Sequence, residues 1–381
     1  MSLPTLALPD PLAGVLRSRH PWIYRDALPP HALATGDWVR VEAGGEAAFG
    51  LYDQAGAIAI RLFSKEGVPD DAWWEATLAR ALAARSPLRE AGHTCYRLLH
   101  GEGDGVPGLV ADRYGRFAAL QPHTAALEPR LPWIAQRLRR LLRLKGVGVR
   151  RAQGWETLAG EEPPPEETVV EHGLRFLANL REGQKTGLFL DHREHRQEVR
   201  ARAAGARVLN LFSYAGGFSV YALAGGAREA WSVDVAEPAL RDADRNVALN
   251  DLPAERHRAV RADVFAALPT WHAEGERFDL VVVDPPSLAR RKRQRTRALA
   301  AYRRLNEGAA RLVAAGGLLA TASCTAQVAP SAFEGAVLEG LERAGRSAET
   351  VLRGGQPPDH PTRAGFPEGR YLKFLLLRLD P

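Results

Sequence analysis

The chain has 381 residues, which exceeds one ordinary domain and favours two or three compact units, each with its own core. Its formal net charge of +6 favours a polyanionic partner, with nucleic acid first. Cys95 and Cys324 are its only cysteines, too few for a disulfide framework or a cysteine-only zinc site, so we expect a reducing, cytoplasmic setting. The N-terminus lacks the basic and apolar parts of a signal peptide, and no apolar run approaches membrane-spanning length. These features predict a soluble protein without a membrane partner.

Residues 1–70 have short, strand-like patterns. Residues 37–41 and 57–63 are rich in the residue types that favour strands, and Gly44, Gly45 and Asp53 mark turns between such segments. The sequence therefore predicts a small β-barrel as the first domain.

Residues 71–180 mix helical and strand-like segments. The predicted helices cover residues 72–85 and 131–144, and the predicted strand covers residues 146–155. The predicted hairpins cover residues 96–121 and 169–180, with turns at 103–105, 114–115 and 172–173. We therefore predict a second domain of the α+β class.

Residues 181–381 are predicted to form the third domain, and from about residue 206 apolar strands alternate with helices. The predicted strands cover residues 208–212, 230–235, 278–284, 317–323 and 371–379. This alternation predicts an α/β fold with a doubly wound, Rossmann-like parallel sheet, in which sites lie at the carboxyl ends of the strands. Asp284 and Cys324 both follow such ends.

The first strand leads into a glycine-bearing turn that contains Phe212, Tyr214 and Gly216. Such a turn before a helix lets a nucleotide-like ligand approach backbone amides. Asp234 ends the second strand, where it could accept hydrogen bonds from ribose hydroxyls. Asp263 follows the third strand, where it could bind an adenine amino group. An adenosyl pocket is the favoured interpretation, because a nicotinamide site would want Gly-x-Gly-x-x-Gly. The alternative is that both aspartates are helix N-caps and the glycines serve tight helix packing.

An acid and a thiol at neighbouring strand ends predict methyl transfer to a carbon of a pyrimidine ring. Ring carbons are unreactive, so a thiolate from Cys324 would add to C6 while protonated Asp284 donates to N3. The alternative for Cys324 is a small buried hydrophobic residue at a strand end. Cys95 lies in a turn-rich region without an acid motif, so we interpret it as structural.

Residues 290–297 form a run of arginines and one lysine just past the acid motif. Such a run can neutralise RNA phosphates, which would steepen the salt dependence of binding. The alternative is a solvated, partly mobile loop.

The motifs together resemble the RlmI-like family of 23S rRNA cytosine-C5 methyltransferases, which use S-adenosylmethionine. The resemblance covers nearly the whole chain, and residues 183–191 are its most specific segment. The matching segments, in the family's order, are residues 20–24, 101–109, 183–191, 210–218, 233–234, 284–286, 322–324, 359–361 and 367–373.

The resemblance implies a PUA-like RNA-binding first domain, an α+β middle domain and a class I methyltransferase domain. It implies Cys324 as nucleophile and Asp284 as base-binding acid, with 23S rRNA as substrate and a homodimer as a family-based expectation. The residues it places around S-adenosylmethionine are Gln184, Lys185, Tyr214, Gly216, Asp234 and Asp263. Family members often carry Asp-Gln-Arg-Glu-Asn at residues 191–195, where this chain has histidine at positions 192 and 195, and an aromatic residue in place of Leu288.

Three other functions compete with this one. Guanine-N2 methyltransferases share the Asp-Pro-Pro motif but need no thiol, because an exocyclic amine has its own lone pair. Uracil-C5 enzymes also pair an acid with Ser-Cys, usually followed by Asn-Pro, whereas Thr325 and Ala326 follow here. A non-catalytic RNA-binding or assembly factor needs only the barrel and the arginines.

Overall fold

The computed structural model of the chain describes residues 3–151, 154–181, 187–289 and 291–380. These residues divide into two compact units. The first comprises residues 1–173, 178–190 and 358–369, and the second comprises residues 174–177, 191–357 and 370–381. The three predicted domain boundaries stay a prediction. In the described ranges, no helix is both long and apolar enough to cross a membrane.

The N-terminal part of the first unit is built around one sheet. Its elements are β1 (Thr5–Ala7), α1 (Ala13–Arg17), β2 (Trp22–Tyr24), β3 (Trp38–Ala43), β4 (Glu46–Tyr52) and β5 (Ile58–Ser64). Among the residues described here, the five strands pair in the order β1-β3-β4-β5-β2. Gly44 and Gly45 both have positive φ, 51° and 80°, which the tight β3–β4 turn requires.

A second sheet follows in the same unit. Its elements are α2 (Asp71–Ala83), α3 (Ser86–Glu90), β6 (Cys95–His100), α4 (Gly101–Asp104), β7 (Leu109–Tyr114), β8 (Phe117–Pro122), α5 (Leu131–Leu142), β9 (Gly146–Arg151) and β10 (Gly154–Gly160). Within the described ranges, the strands pair in the order β10-β9-β8-β7-β6. Asp70 caps α2 by accepting a hydrogen bond from the Trp73 amide at 2.8 Å.

The second sheet corrects three sequence predictions. The stretch predicted as one strand over 146–155 contains β9 and the start of β10, which pair antiparallel. The turn predicted at 103–105 is the end of α4, and Gly105 closes it with left-handed backbone, φ 87°. Cys95 begins a strand rather than a turn-rich region; it is buried and its Sγ lies 3.6 Å from the Val170 carbonyl oxygen. Burial agrees with its structural interpretation.

The chain then forms β11 (Glu167–Glu171) and β12 (Leu174–Ala178), which flank the predicted turn. His172 and Gly173 have positive φ, 47° and 78°, as a tight two-residue connection requires.

The second unit contains the predicted α/β fold. Its elements are α6 (Arg193–Arg200), β13 (Arg207–Leu211), α7 (Gly217–Ala224), β14 (Glu229–Asp234), α8 (Glu237–Leu249), β15 (His257–Arg261), α9 (Val264–Ala273), β16 (Phe278–Val283), α10 (Arg295–Leu312), β17 (Val313–Ser323), α11 (Pro330–Arg343), β18 (Ala348–Gly354) and β19 (Lys373–Leu379). In the described part of this unit, seven strands pair in the order β15-β14-β13-β16-β17-β19-β18.

The alternation of strands and helices predicted a wholly parallel sheet, but this sheet is mixed. Strands β15, β14, β13, β16 and β17 are parallel, but β19 runs antiparallel to both β17 and β18. The chain turns back without a crossover helix between β18 and β19, so these two strands form an antiparallel edge. The apolar runs of β16 and β17 lie in its buried centre, so their carboxyl ends bring residues 284 and 324 to the same edge.

Candidate active site

The turn after β13 has unusual backbone geometry. Phe212, Tyr214 and Gly216 have φ of 58°, 48° and 73°, and the first two are not glycine. Such left-handed residues cluster where a site holds the backbone against its preference. A Cβ built on Gly216 would lie 2.7 Å from the Cβ of Ala243, so only glycine allows α8 to pack this closely.

Asp234 holds this turn in place from the end of β14. Its Oδ2 accepts a hydrogen bond from the Tyr214 amide at 2.9 Å, and its Oδ1 accepts one from the Ala236 amide at 2.9 Å. Ala236, not Asp234, is the residue that precedes α8, so the N-cap interpretation of Asp234 was wrong. Each carboxylate oxygen can accept more than one bond, and the half-buried side chain therefore suits ribose hydroxyls.

Asp263 is the N-cap of α9, as the alternative interpretation predicted. Its Oδ1 accepts a hydrogen bond from the Phe265 amide at 2.8 Å, and the residue is exposed. The rings of Phe212 and Phe265 lie 6.5 Å apart, edge to face, so the start of α9 lies beside the turn. The geometry thus brings Phe212, Tyr214, Gly216, Asp234 and Asp263 to three adjacent strand ends. Gln184 and Lys185 lie outside the described residues.

A chain of hydrogen-bonded polar side chains that no sequence motif marked lies beside the turn; it is buried from Asn210 to Ser232 and reaches the surface at Asp244. Ser219 Oγ contacts Asn210 Nδ2 at 3.0 Å and Ser232 Oγ at 2.7 Å. His257 Nε2 lies 2.8 Å from Ser232 Oγ, and its Nδ1 lies 2.9 Å from Asp244 Oδ1. Burial lowers the pKa of His257, although the nearby carboxylate of Asp244 has the opposite effect and raises it. This network links β13, α7, β14, β15 and α8, and so fixes the elements that flank the turn.

Asp284 and Cys324 lie together at the centre of the same sheet edge. Each follows the last residue of its strand, β16 or β17, and these strands are parallel neighbours. The Cys324 Sγ lies 4.0 Å from the carbonyl oxygen of Pro285, and both Asp284 and Cys324 are partly exposed. An acid and an accessible thiol therefore line one surface, as the sequence predicted.

Thr325 joins the two loops that carry this pair. Its hydroxyl oxygen accepts a hydrogen bond from the Leu288 amide at 3.1 Å and lies 2.7 Å from the Tyr302 hydroxyl. Burial raises the pKa of Tyr302 to about 12, so its hydroxyl keeps its proton. In the sequence, Thr325 counted only as a departure from the uracil class, and no local pattern marks Tyr302, which lies within α10.

Lys373 is a second residue that sequence reasoning missed. Its side chain is buried, and Nζ donates to the carbonyl oxygens of Thr325 at 2.7 Å and Tyr371 at 2.8 Å. Burial lowers the pKa of Lys373 to about 8, although the interaction with Cys324 has the opposite effect and raises it. A buried lysine whose charge interacts with a cysteine favours the thiolate form of that cysteine. Residues 367–373 had been noted as a matching segment, but without a role for this lysine.

Two histidines lie behind Asp284. His192 Nε2 lies 3.3 Å from Asp284 Oδ1, and His192 Nδ1 lies 2.9 Å from His195 Nδ1. Both rings are buried. Positions 192 and 195 are among those at which the chain departs from its resembled family, and that departure was the sequence signal for them.

The arginine run begins a helix rather than a loop. Arg290 lies outside the described residues, and residues 291–297 are all exposed and lead through a 3-10 turn into α10. Arg295 and Arg297 occupy the first turn of that helix, where the helix dipole disfavours positive charge. Helix stability therefore does not explain these arginines.

Known proteins resemble this chain over nearly its whole length. The profile of the S-adenosylmethionine-dependent methyltransferases matches residues 116–378, and that of the PUA-like domain matches residues 13–65. A ribosomal RNA large subunit methyltransferase of Deinococcus radiodurans is 40% identical, over 96% of this chain and 95% of that protein. A ribosomal RNA large subunit methyltransferase I of Aeromonas salmonicida is 37% identical, over 95% of this chain and 96% of that protein.

The solved structures give the same fold. SMU.776, assigned to the methyltransferases and crystallised with S-adenosylhomocysteine, superposes with a TM-score of 0.90 at 23% identity, over 99% of this chain and 100% of that one. The predicted combination of a PUA-like domain with a Rossmann-like methyltransferase domain is confirmed, and so is the cofactor. The chain belongs to the family of S-adenosylmethionine-dependent methyltransferases that includes the ribosomal RNA large subunit methyltransferases.

Proposed function

We propose that this protein methylates C5 of a cytosine in 23S rRNA through a covalent adduct of Cys324. The observation that carries the proposal is the thiol beside the acid loop, with Sγ 4.0 Å from the Pro285 carbonyl oxygen. Methylation of an exocyclic amine needs no nucleophilic residue, whereas C5 of a pyrimidine becomes reactive only after a nucleophile adds to C6. The relatives named for large subunit rRNA supply the substrate class.

The side chains around Cys324 support its role as nucleophile. Lys373 carries positive charge below about pH 8 and interacts with the sulfur, which favours the thiolate. The thiolate adds to C6 of the ring while Asp284 gives its proton to N3, so that the electron pair is directed to C5. After C5 takes the methyl group, a base removes the C5 proton, Sγ leaves with the electrons of the C6–S bond, and N3 returns its proton to Asp284. The ring is thereby restored.

S-adenosylmethionine supplies the electrophilic methyl group. The residues present fit it, because Asp234 and Asp263 offer carboxylate oxygens at two adjacent strand ends. We assign ribose hydroxyls to Asp234 and the adenine amino group to Asp263. The positive-φ turn from Phe212 to Gly216, which Asp234 holds through the Tyr214 amide, suits a close approach of the same ligand. The resemblance also assigns Gln184 and Lys185 to the cofactor.

RNA binding is proposed to involve the exposed arginines at residues 291–297 and the PUA-like domain. Arginines in the first turn of a helix cost stability, so a phosphate partner is a reason to keep them there. An rRNA substrate and only two cysteines favour action in the cytoplasm. The homodimer stays a prediction from the resemblance.

The test is mass spectrometry of nucleosides from 23S rRNA of cells with and without the gene, followed by fragment mapping. Loss of one 5-methylcytidine, restored by the wild-type gene, is the expected result. Loss of a methylated guanine or of 5-methyluridine would replace the cytosine assignment. An unchanged profile would contradict methylation of 23S rRNA and favour another RNA or a non-catalytic role.

A further inference from the structure

The mechanism above does not use the two buried histidines behind Asp284. His192 lies between Asp284 and His195, with its Nε2 3.3 Å from the carboxyl oxygen Oδ1 and its Nδ1 2.9 Å from the other ring. The order of contacts is therefore Asp284, His192, His195. Only Asp284 of these three is partly exposed, so the histidines contact the base through it and not directly.

The position of His195 is strongly constrained. Its ring stacks on that of Phe374, with centroids 4.0 Å apart and planes 5° from parallel. A Cβ built on Gly354 would lie 2.5 Å from His195 Nε2 and 3.3 Å from Phe374 Cδ1, so a larger residue there would displace the His195 ring. The sequence therefore provides a glycine and an aromatic ring that together fix this imidazole. A fixed His195 in turn limits the orientation of His192.

The ring protons can be assigned from these contacts. Burial lowers the pKa of His195 to about 2, with smaller contributions from His192 and Arg196 that lower it and from Asp191 and Glu194 that raise it. The ring is then neutral and carries one proton. Two Nδ1 atoms 2.9 Å apart need one proton between them. If His195 supplies it, His192 accepts at Nδ1 and can carry a proton on Nε2, the atom 3.3 Å from Asp284 Oδ1.

We infer that His192 is a positioning residue that donates its Nε2–H to Oδ1 of Asp284 and leaves Oδ2, with the acid proton, to face N3 of the target cytosine. This inference rests on the proposed function and deepens it. Cytosine offers an acceptor at N3 and an amino donor at N4, which a carboxyl group with one protonated oxygen complements. Uracil offers a donor at N3 and an acceptor at O4, which this arrangement does not complement. The same N–H bond stabilises the carboxylate that remains once Asp284 has given up its proton.

Two substitutions at position 192 distinguish the effect of the N–H donor from the effect of the ring. His192→Gln keeps an N–H donor of similar reach, whereas His192→Phe keeps a ring against Phe218, whose centroid lies 5.6 Å from that of His192, but has no donor. We expect His192→Phe to slow single-turnover methylation of a 23S rRNA transcript by about 10- to 100-fold, the usual effect of losing a hydrogen bond to a charged group. We expect His192→Gln to restore most of the rate. Cofactor affinity by calorimetry should stay close to wild type in both.

A second measurement needs neither RNA nor cofactor. Nitrogen-15 spectra of histidine-labelled protein, assigned with His192→Gln and His195→Gln, distinguish a protonated ring nitrogen from an unprotonated one. We expect protonated Nε2 and unprotonated Nδ1 in His192, and protonated Nδ1 in His195. We also expect Asp284→Asn to shift the His192 Nε2 signal.

The outcomes separate the inference from the proposed function. If wild type forms 5-methylcytidine but His192→Phe reacts as fast as His192→Gln, the positioning role is wrong and the proposed function stands. An unprotonated Nε2 in His192 would also overturn the inference, because Asp284 would then be the donor. If wild type forms no 5-methylcytidine on a transcript that carries the mapped position, the proposed function fails and the inference fails with it.

Discussion

The cofactor turn and the Asp284–Cys324 pair lie at the same edge of one sheet, yet they are held by different kinds of contact. Asp234 binds the amide of Tyr214, only 20 residues away, and the amide of Ala236, two residues on. The catalytic pair depends on side chains from distant parts of the chain, because Lys373 reaches Thr325 across 48 residues and His192 reaches Asp284 from before the first strand of the sheet. The turn is thus specified by local sequence, and the pair by tertiary structure.

The sharpest way to separate the two regions is to remove the thiol. Cys324→Ala should abolish turnover but leave cofactor affinity nearly unchanged, because the sulfur contacts the base rather than the adenosyl group. Single-turnover methylation and calorimetry measure the two properties on one preparation. Cys95→Ala is the matched control, since Cys95 is buried in the other unit and should keep normal turnover. Retained activity in Cys324→Ala would rule out the covalent mechanism.

The acid should show the next largest effect. Asp284→Asn cannot donate an acidic proton to N3, so we expect the rate to fall by about 10²- to 10⁴-fold, as for other positioned acids. Cofactor affinity should again stay close to wild type. A near-normal rate in the same single-turnover assay would assign the acid to another residue.

The converse substitution tests the cofactor turn. Asp234→Ala removes the acceptor for the Tyr214 and Ala236 amides and for the ribose, so cofactor affinity should fall by about 10- to 100-fold. Calorimetry with S-adenosylhomocysteine gives the affinity, and Asp242→Ala on the surface of α8 is the control. Unchanged affinity would mean that Asp234 serves only the turn.

The smallest effect is expected at Lys373. Below about pH 8 its charge favours the Cys324 thiolate, so Lys373→Met should slow alkylation of Cys324 by iodoacetamide. Above that pH the wild-type lysine loses its proton, and the two proteins should converge. The measurement uses a Cys95→Ala background, with the exposed Lys292→Met as control. Equal alkylation rates at every pH would remove Lys373 from the site.

The difference between the two regions also explains how much of the fold and of the site could be predicted from the sequence. The alternation of strands and helices, the PUA-like domain and the positions of Asp234, Asp284 and Cys324 at strand ends follow from short motifs and from the rule that sites lie at strand ends. The antiparallel edge of β18 and β19 was missed, because apolar strands of either direction have the same pattern.

The supporting side chains were missed for a related reason. Tyr302 lies on a helix and belongs to no motif, and Lys373 ends a matching segment that gave it no role. Their roles exist only because the fold brings them to Thr325. His192 and His195 were visible as a departure from the resembled family, but only the structure connects them to Asp284.

The most direct test of a joint action of Cys324 and Asp284 is to trap the adduct on RNA that contains 5-fluorocytidine. After addition of the thiolate to C6 and transfer of the methyl group, C5 carries fluorine in place of the proton that must leave, so the C6–S bond persists. Protease digestion and mass spectrometry then locate the bonded residue. We expect RNA attached to the peptide that contains Cys324, and no adduct with Cys324→Ala. Methylation of ordinary cytidine without an adduct, or an adduct on another residue, would contradict the proposed mechanism.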